Sequence, residues 1–147
     1  IDEQVETQKL QWQARRLRVE VRGEPLTVEV DAEKLGTALG NLLSNAIRFS
    51  PVGGCIVFEV SQWPGRARID ITDAGPGVAP ADRARVFEPF FRGERQPPDA
   101  ARGSGIGLSI VQELVRAHEG QIDLLMPEAS EAAGAHFRIE LPHVSDR

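Results

Sequence analysis

Residues 55–73 constrain the fold more than any other stretch, because two alternating runs meet there at a tight turn. Ile56, Phe58 and Val60 are apolar at every second position. Trp63-Pro64-Gly65 then reverses the chain, and Ala67, Ile69 and Ile71 resume the pattern opposite Arg66, Arg68 and Asp70. Period-two alternation on both sides of a turn predicts a β-hairpin with one buried and one polar face. Continuing the parity puts Asp73 on the apolar side, at the strand end. A carboxylate turned toward a core needs a hydrogen-bonding partner, since burying it bare is costly. Asp73 is therefore the first candidate for a functional group.

The remaining elements follow from the same periodicities. Leu17, Val19 and Val21 alternate with Arg18, Glu20 and Arg22, and Leu26, Val28 and Val30 continue after Gly23-Glu24-Pro25. This reads as a second hairpin with one buried face. Residues 1–14 are polar and helix-compatible, with Val5, Leu10 and Trp12 as apolar points. Asp31 suits the N-cap of a long helix ending near Phe49, whose core stripe is Leu35, Leu39, Leu42 and Ala46. Asn41, Asn45 and Arg48 share a flank of that stripe at spacings of four and three. A short helix is expected at about 80–86, and a longer one at 104–118 with Ile106, Ile110, Leu114 and Val111 facing inward. Gly120 suits its left-handed C-cap. Ile122 and Leu124 begin a strand, and Phe137, Ile139 and Leu141 form the last. Residues 93–103, with Pro97-Pro98 and charges in no period, have the character of a lid or binding loop. About three substantial helices and five or six strands, mostly hairpin-linked, predict an α+β fold. Its form is a two-layer α/β sandwich, a mixed but mostly antiparallel sheet with the helices on one face.

At 147 residues, 41% apolar and 27% charged, the chain fits one globular domain with a real core. Its net charge of -5 excludes a general nucleic-acid binder, though not an anionic nucleotide, whose pocket is set by local dipoles and a few cations. The single cysteine, Cys55, reads as a small core residue. No apolar run reaches transmembrane length and no signal-peptide pattern opens the chain. With Ile rather than Met first, the chain is expected to be a piece of a longer protein.

Three further clusters carry chemistry. Neutral amide oxygens such as those of Asn41 and Asn45 can ligate a hard cation without adding negative charge beside phosphates, although one such pair taken alone is more often merely solvent-facing. Gly103-Ser104-Gly105-Ile106-Gly107-Leu108 opens a helix, where glycine amides and the helix dipole favour anions. It is not a Walker A loop, lacking Lys-Ser or Lys-Thr, and no strand precedes it as a dinucleotide fold requires. Val86-Phe87-Glu88-Pro89-Phe90-Phe91-Arg92 reads as an apolar plug that anchors a loop. His118, His136 and His143 show no metal spacing; His118 suits a helix C-terminus.

Taken in order, Asn41–Asn45, Asp73–Gly77, Phe87–Arg92 and Gly103–Leu108 resemble the ATP-binding domain of sensor histidine kinases. That family belongs to the Bergerat-type ATPases, with gyrase, MutL and the large heat-shock chaperone. The resemblance covers roughly residues 15–142 and implies the same sandwich fold with an ATP lid. It implies ATP and Mg²⁺ as cofactors, with Asn45 the leading metal ligand and Asn41 beside the phosphates. Arg48 stands where the family usually has lysine, a cation of different geometry. Asp73 would accept a hydrogen bond from the adenine 6-amino group, which guanine lacks, and Gly75 and Gly77 would let backbone approach the ring. Phe49, Val78, Phe91, Ile106 and Leu108 join the nucleotide set. Arg92 becomes a γ-phosphate contact, Gly103, Gly105 and Gly107 lid hinges and phosphate donors, and Ser104 an added hydroxyl. Asn41, Asn45, Arg48 and Arg92 form the implied catalytic group.

The implied activity is transfer of the γ-phosphate to a histidine on a separate helical dimerisation domain. The family's acceptor motif is His-Glu followed shortly by a basic residue and a proline, whereas His118-Glu119 runs into Gly120. Residues 1–14 are then a lead-in from an acceptor domain and 15–147 the catalytic domain. The implied partners are that dimerisation domain and a response-regulator receiver domain, within a homodimeric parent anchored in the bacterial inner membrane. This fragment would be cytoplasmic, with neither nucleic acid nor membrane contact of its own. Alternatives are a serine kinase of the anti-sigma-factor type and a nonenzymatic nucleotide-sensing module. Relatives that hydrolyse ATP efficiently carry glutamate where Asn41 stands.

Overall fold

The computed structural model describes residues 1–14, 16–23, 32–49, 53–73, 86–88, 107–125 and 135–142. Within these, helices α1 (Asp2–Thr7) and α2 (Lys9–Ala14) precede strand β1 (Arg18–Gly23), and α3 (Ala32–Phe49) leads to β2 (Cys55–Trp63) and β3 (Arg66–Thr72). Helix α4 (Gly107–Ala117), β4 (Gln121–Leu124) and β5 (His136–Pro142) complete the fold. The sheet order is β1-β2-β3-β5-β4. All neighbours are antiparallel except β1 and β2, which run parallel. This is the mixed, mostly antiparallel sheet with helices on one face that the alternation predicts.

The hairpin of residues 55–73 forms as expected, with Phe58 opposite Ile71 and Val60 opposite Ile69. β1 behaves differently. Among the described residues its partner in the sheet is β2, reached through α3, a parallel crossover in a sheet expected to be mixed and mostly hairpin-linked. Parallel neighbours need such a crossover because their ends lie far apart. The proposed partner run 26–30 lies outside the described residues. β1 also lacks a fully buried face. Val19 packs on the core while Val21 is 43% exposed.

The core lies between one sheet face and helices α3 and α4. Ile56, Phe58, Ile69, Ile71, Phe137, Ile139 and Leu141 rise from the sheet to meet Leu39, Leu42, Leu43, Val111 and Val115. On α3 the buried stripe is wider than its four expected residues, adding Ala38, Leu43 and Ile47. The extra width follows from α3 packing on α1 and α4 as well as on the sheet. On α4 the buried residues are Val111 and Val115, with Leu114 and Leu108 only partly buried and Ile110 half-buried. The stripe is therefore rotated from the expected 106-110-114 line, because α4 must satisfy both α3 and β4.

Two glycines permit close approaches. A Cβ on Gly40 would stand 2.6 Å from Gln4 Oε1, and this lets α1 lie against α3. Gln8, between α1 and α2, is buried there; its Nε2 donates to the Gly40 carbonyl at 2.9 Å and its Oε1 accepts from Ser44 Oγ at 2.8 Å. At the other end, Gly120 does not adopt the left-handed conformation expected of it. Glu119 does, with φ 60°. The amides of Glu119 and Gly120 bond the Arg116 and Val115 carbonyls at 2.9 and 3.0 Å, the paired closure of a Schellman motif with Glu119 at the left-handed position. Gly120 is needed instead for space, since a Cβ there would collide with the Glu140 carbonyl.

Candidate functional site

Asp73 follows β3 on the parity that the sequence predicts, and it is 6% exposed. Its backbone amide donates to the Ala135 carbonyl at 3.1 Å, which continues the β3–β5 ladder. The returning Ala135 amide donates to the carboxylate Oδ1 of Asp73 at 3.2 Å. The side chain thus takes the acceptor role at the point where the ladder ends, and this fixes the carboxylate's direction. A carboxylate accepts several hydrogen bonds, and the Ala135 amide is one of those it takes here. Ala135 was not among the sequence candidates. The parity of Phe137, Ile139 and Leu141, extended back one step, was the signal that could have found it.

The second group lies on α3. Asn41, Asn45 and Arg48 are all half-buried on one flank of the helix, and the Arg48 Nη2 donates to Asn45 Oδ1 at 3.1 Å. The Asn45 carboxamide oxygen therefore already faces a cation, which is the observation that tests whether a metal would fit. A neutral oxygen that accepts from a guanidinium is chemically able to accept a hard divalent ion in its place. Phe49 ends α3, and its side chain lies outside the described residues.

The third group is represented by its edge. Gly107 begins α4, and Leu108 in its first turn packs on the core. Of the expected plug, residues 86–88 are described, and the Phe87 ring meets Phe137 edge-on with centroids 6.1 Å apart; residues 89–92 lie outside the described residues. Gly75, Gly77, Val78, Phe91, Arg92, Gly103, Ser104, Gly105 and Ile106 lie outside the described residues, as do the expected helix at 80–86 and the lid at 93–103.

Beneath this arrangement, on the sheet face away from the helices, charges pair across β3 and β5. Asp70 Oδ1 accepts from His136 Nε2 at 2.7 Å and from Arg138 Nε at 2.8 Å. Glu140 Oε2 meets Arg68 at 3.2 Å and Arg66 at 3.0 Å, and the Arg68 guanidinium lies 4.1 Å over the Trp63 ring. Burial alone would raise the Asp70 carboxyl, but hydrogen bonds and charge from His136 and Arg138 prevail and hold it below the usual 3.8. This network is structural, one strand residue away from Ala135. A separate cavity of about 450 Å³ lies between α4 and β4, lined by Phe87, Gln112, Arg116 and Asp123 among others. Among the described residues, none of the implied nucleotide set lines it. Among the described residues no cluster of three or more His, Cys, Asp and Glu could hold a metal, and no helix is long and apolar enough to cross a membrane. His118 Nδ1 lies 2.8 Å from the Leu114 carbonyl, a helix-end role.

Over residues 30–145 the chain matches the family described as histidine kinase-, DNA gyrase B-, and HSP90-like ATPase, and it belongs to that family. It is 39% identical over 127 residues to the sensor-like histidine kinase SenX3 of Mycobacterium tuberculosis, covering 84% of this chain and 30% of SenX3. Against the sensor histidine kinase TmoS of Ectopseudomonas mendocina it is 40% identical over 118 residues, 80% of this chain and 12% of TmoS. The mycobacterial sensor histidine kinase MprB superposes with a TM-score of 0.84 at 35% identity, covering 97% of this chain and 95% of that one. Within the family, then, this is the catalytic ATP-binding domain of a histidine kinase, and it spans less than a third of the length of these two curated relatives.

Proposed function

We propose that this domain binds ATP with Mg²⁺ and presents the γ-phosphate to a histidine on a separate helical domain of its parent. The observation that carries the proposal is Asp73, a buried carboxylate whose direction is set by the Ala135 amide. An acid so held accepts from the 6-amino group of adenine. Guanine offers an oxygen there, and the unpaired acid then opposes binding. Asn45, supported by Asn41, would hold Mg²⁺; the bound ion supplies charge neutralisation on the phosphates. Arg48, Arg92 and the amides of residues 103–107 are assigned to the triphosphate, with Phe49, Val78, Phe91, Ile106 and Leu108 around the nucleoside. In the transfer, an acceptor imidazole nitrogen forms the new P–N bond, the bond from the γ-phosphorus to the β–γ bridging oxygen breaks, and ADP leaves with that electron pair.

Residues 1–14 are proposed as the lead-in from the acceptor helices, and 15–147 as the catalytic domain. The parent is proposed to be a membrane-anchored homodimer that passes its phosphate to a receiver domain, with this domain on the cytoplasmic side where ATP is available. Calorimetry tests the pocket: ATP and ADP should bind with Mg²⁺ and GTP much more weakly, and equal affinity for ATP and GTP refutes the adenine assignment. Labelled ATP supplied with the parent's helical domain tests the transfer. Acid-labile phosphate on that domain supports the proposal, whereas phosphate on a partner's serine identifies a kinase of the anti-sigma type.

A further inference from the structure

The two strands that bring Asp73 to Ala135 are tied a second time, on the sheet face away from the helices. In the antiparallel register of β3 and β5, Asp70 stands directly across from Arg138, and Thr72 across from His136. Asp70 Oδ1 accepts from Arg138 Nε at 2.8 Å and from His136 Nε2 at 2.7 Å. The first bond runs straight across the strands, and the second runs diagonally, a reach open to long and aromatic side chains. A straight tie resists separation of the strands. A diagonal tie also stretches when one strand slides along the other. Glu140 repeats the arrangement, with Arg68 directly across at 3.2 Å and Arg66, opposite Pro142, on the diagonal at 3.0 Å. Both diagonals slant the same way. Each opposes the slide that would carry β5 past the end of β3, and Ala135 past Asp73.

We propose that His136 is a positioning residue for adenine selection, bracing β5 against β3 from behind so that the Ala135 amide stays aimed at the Asp73 carboxylate. This rests on the function proposed above, in which Asp73 reads the adenine amino group. His136 opens β5 and directly follows Ala135, so its diagonal tie acts at the rung where alignment matters. In that rung the Asp73 side chain takes the Ala135 amide in place of a backbone carbonyl. A slide of β5 is therefore passed to the carboxylate itself, and hydrogen bonds weaken steeply as their angles depart from linear. Asp70, Asp73 and Ala135 are 8%, 6% and 7% exposed, so water competes weakly for the bonds that join them. An imidazole suits the brace, because it has fewer torsions to absorb a slide than lysine or arginine.

The test uses the 147-residue chain, with ADP and IDP, each with Mg²⁺, as probes; inosine carries an oxygen where adenine carries its amino group. His136→Val keeps a strand-forming side chain and removes the donor. It should lower ADP affinity about two- to fivefold, the value of one cross-strand pair, and leave IDP affinity unchanged. By NMR the Ala135 amide should exchange faster by a similar factor, while that of Ile139, fully buried deeper in β5, keeps its protection. His136→Gln returns an N–H donor and should restore the preference for ADP. Asp70→Asn removes the charge that both arms share and should lower that preference in the same way; it carries the test if His136→Val does not fold. Equal losses of ADP and IDP affinity overturn the proposal, because they report a general loosening of the sheet. An ADP preference or an Ala135 exchange rate unchanged in the folded variants overturns it too. If the wild type binds ADP and IDP equally, Asp73 does not read adenine, and the function proposed above fails together with this inference.

Discussion

Two aspartates three residues apart show how one strand sorts identical side chains into different work. Asp73 points into the helix layer and is held by a backbone amide; Asp70 points to the opposite face and is held by His136 and Arg138. Asp73→Asn keeps an oxygen that can accept from Ala135, so the fold should survive with a melting curve close to wild type. ATP affinity should nevertheless drop roughly ten- to hundredfold, the value of one charge-assisted hydrogen bond, as read by calorimetry. Asp70 should instead reveal itself through pH. Its carboxyl is depressed in the folded state, so it contributes stability above the unfolded carboxyl value of 3.8, and this is lost as pH falls through the folded value. Asp70→Asn should cost about 1–3 kcal/mol at neutral pH and flatten the acid limb of a urea-unfolding series below about pH 4. An acid limb as steep as wild type would refute the assignment. Parity alone placed both residues correctly. It could not foresee that Asp70, on the polar face, would be almost as buried as Asp73, because that depends on which neighbours cross from β5.

At the scale of elements, the helix ends and crossings were where sequence and structure parted. The stop after α4 was legible in His118-Glu119-Gly120, but which residue takes the left-handed turn was not. Glycine is the default for that conformation, yet here the close approach of β5 claims Gly120 and leaves the strained position to Glu119. Glu119→Gly should therefore stabilise the protein by about 1 kcal/mol, the left-handed penalty of a side chain. Gly120→Ala should destabilise it by about 1–3 kcal/mol through overpacking against Glu140. Both shifts are measurable by chemical denaturation, and the reverse ranking would mean the glycine serves the turn after all. The rotated stripe of α4 has a similar origin. Periodicity reports that a helix has an apolar face, but the exact azimuth is set by two neighbours that lie far away in sequence.

For the whole molecule, the antiparallel core, the helix layer and the family were all readable from alternation and four short motifs. The parallel pairing of β1 with β2 was not, because a run of alternating residues carries no information about which partner it chooses. Nor could spacing reveal the Asn45–Arg48 contact, which depends on rotamers. The isolated domain should bind nucleotide without labelling itself, because no acceptor motif lies within it. Labelled ATP should leave no acid-labile phosphate on the purified chain. Phosphohistidine at His118, His136 or His143 would overturn this expectation, and His118 and His136 are both committed to structural hydrogen bonds.

The insertion of β5 between β3 and β4 also bears on how the protein is made. Synthesis runs from the N-terminus, so β3 and β4 both emerge from the ribosome before the strand that joins them. Until residues 135–142 are free of the exit tunnel, β4 has no partner in the sheet, and Asp73 has no Ala135 amide to orient it. The orientation of Asp73 is thereby tied to the synthesis of β5. A nascent chain stalled short of Ala135 can bury its first hairpin on α3, yet it lacks the amide that orients Asp73; if Asp73 reads adenine as proposed, a product truncated there is expected not to bind ATP.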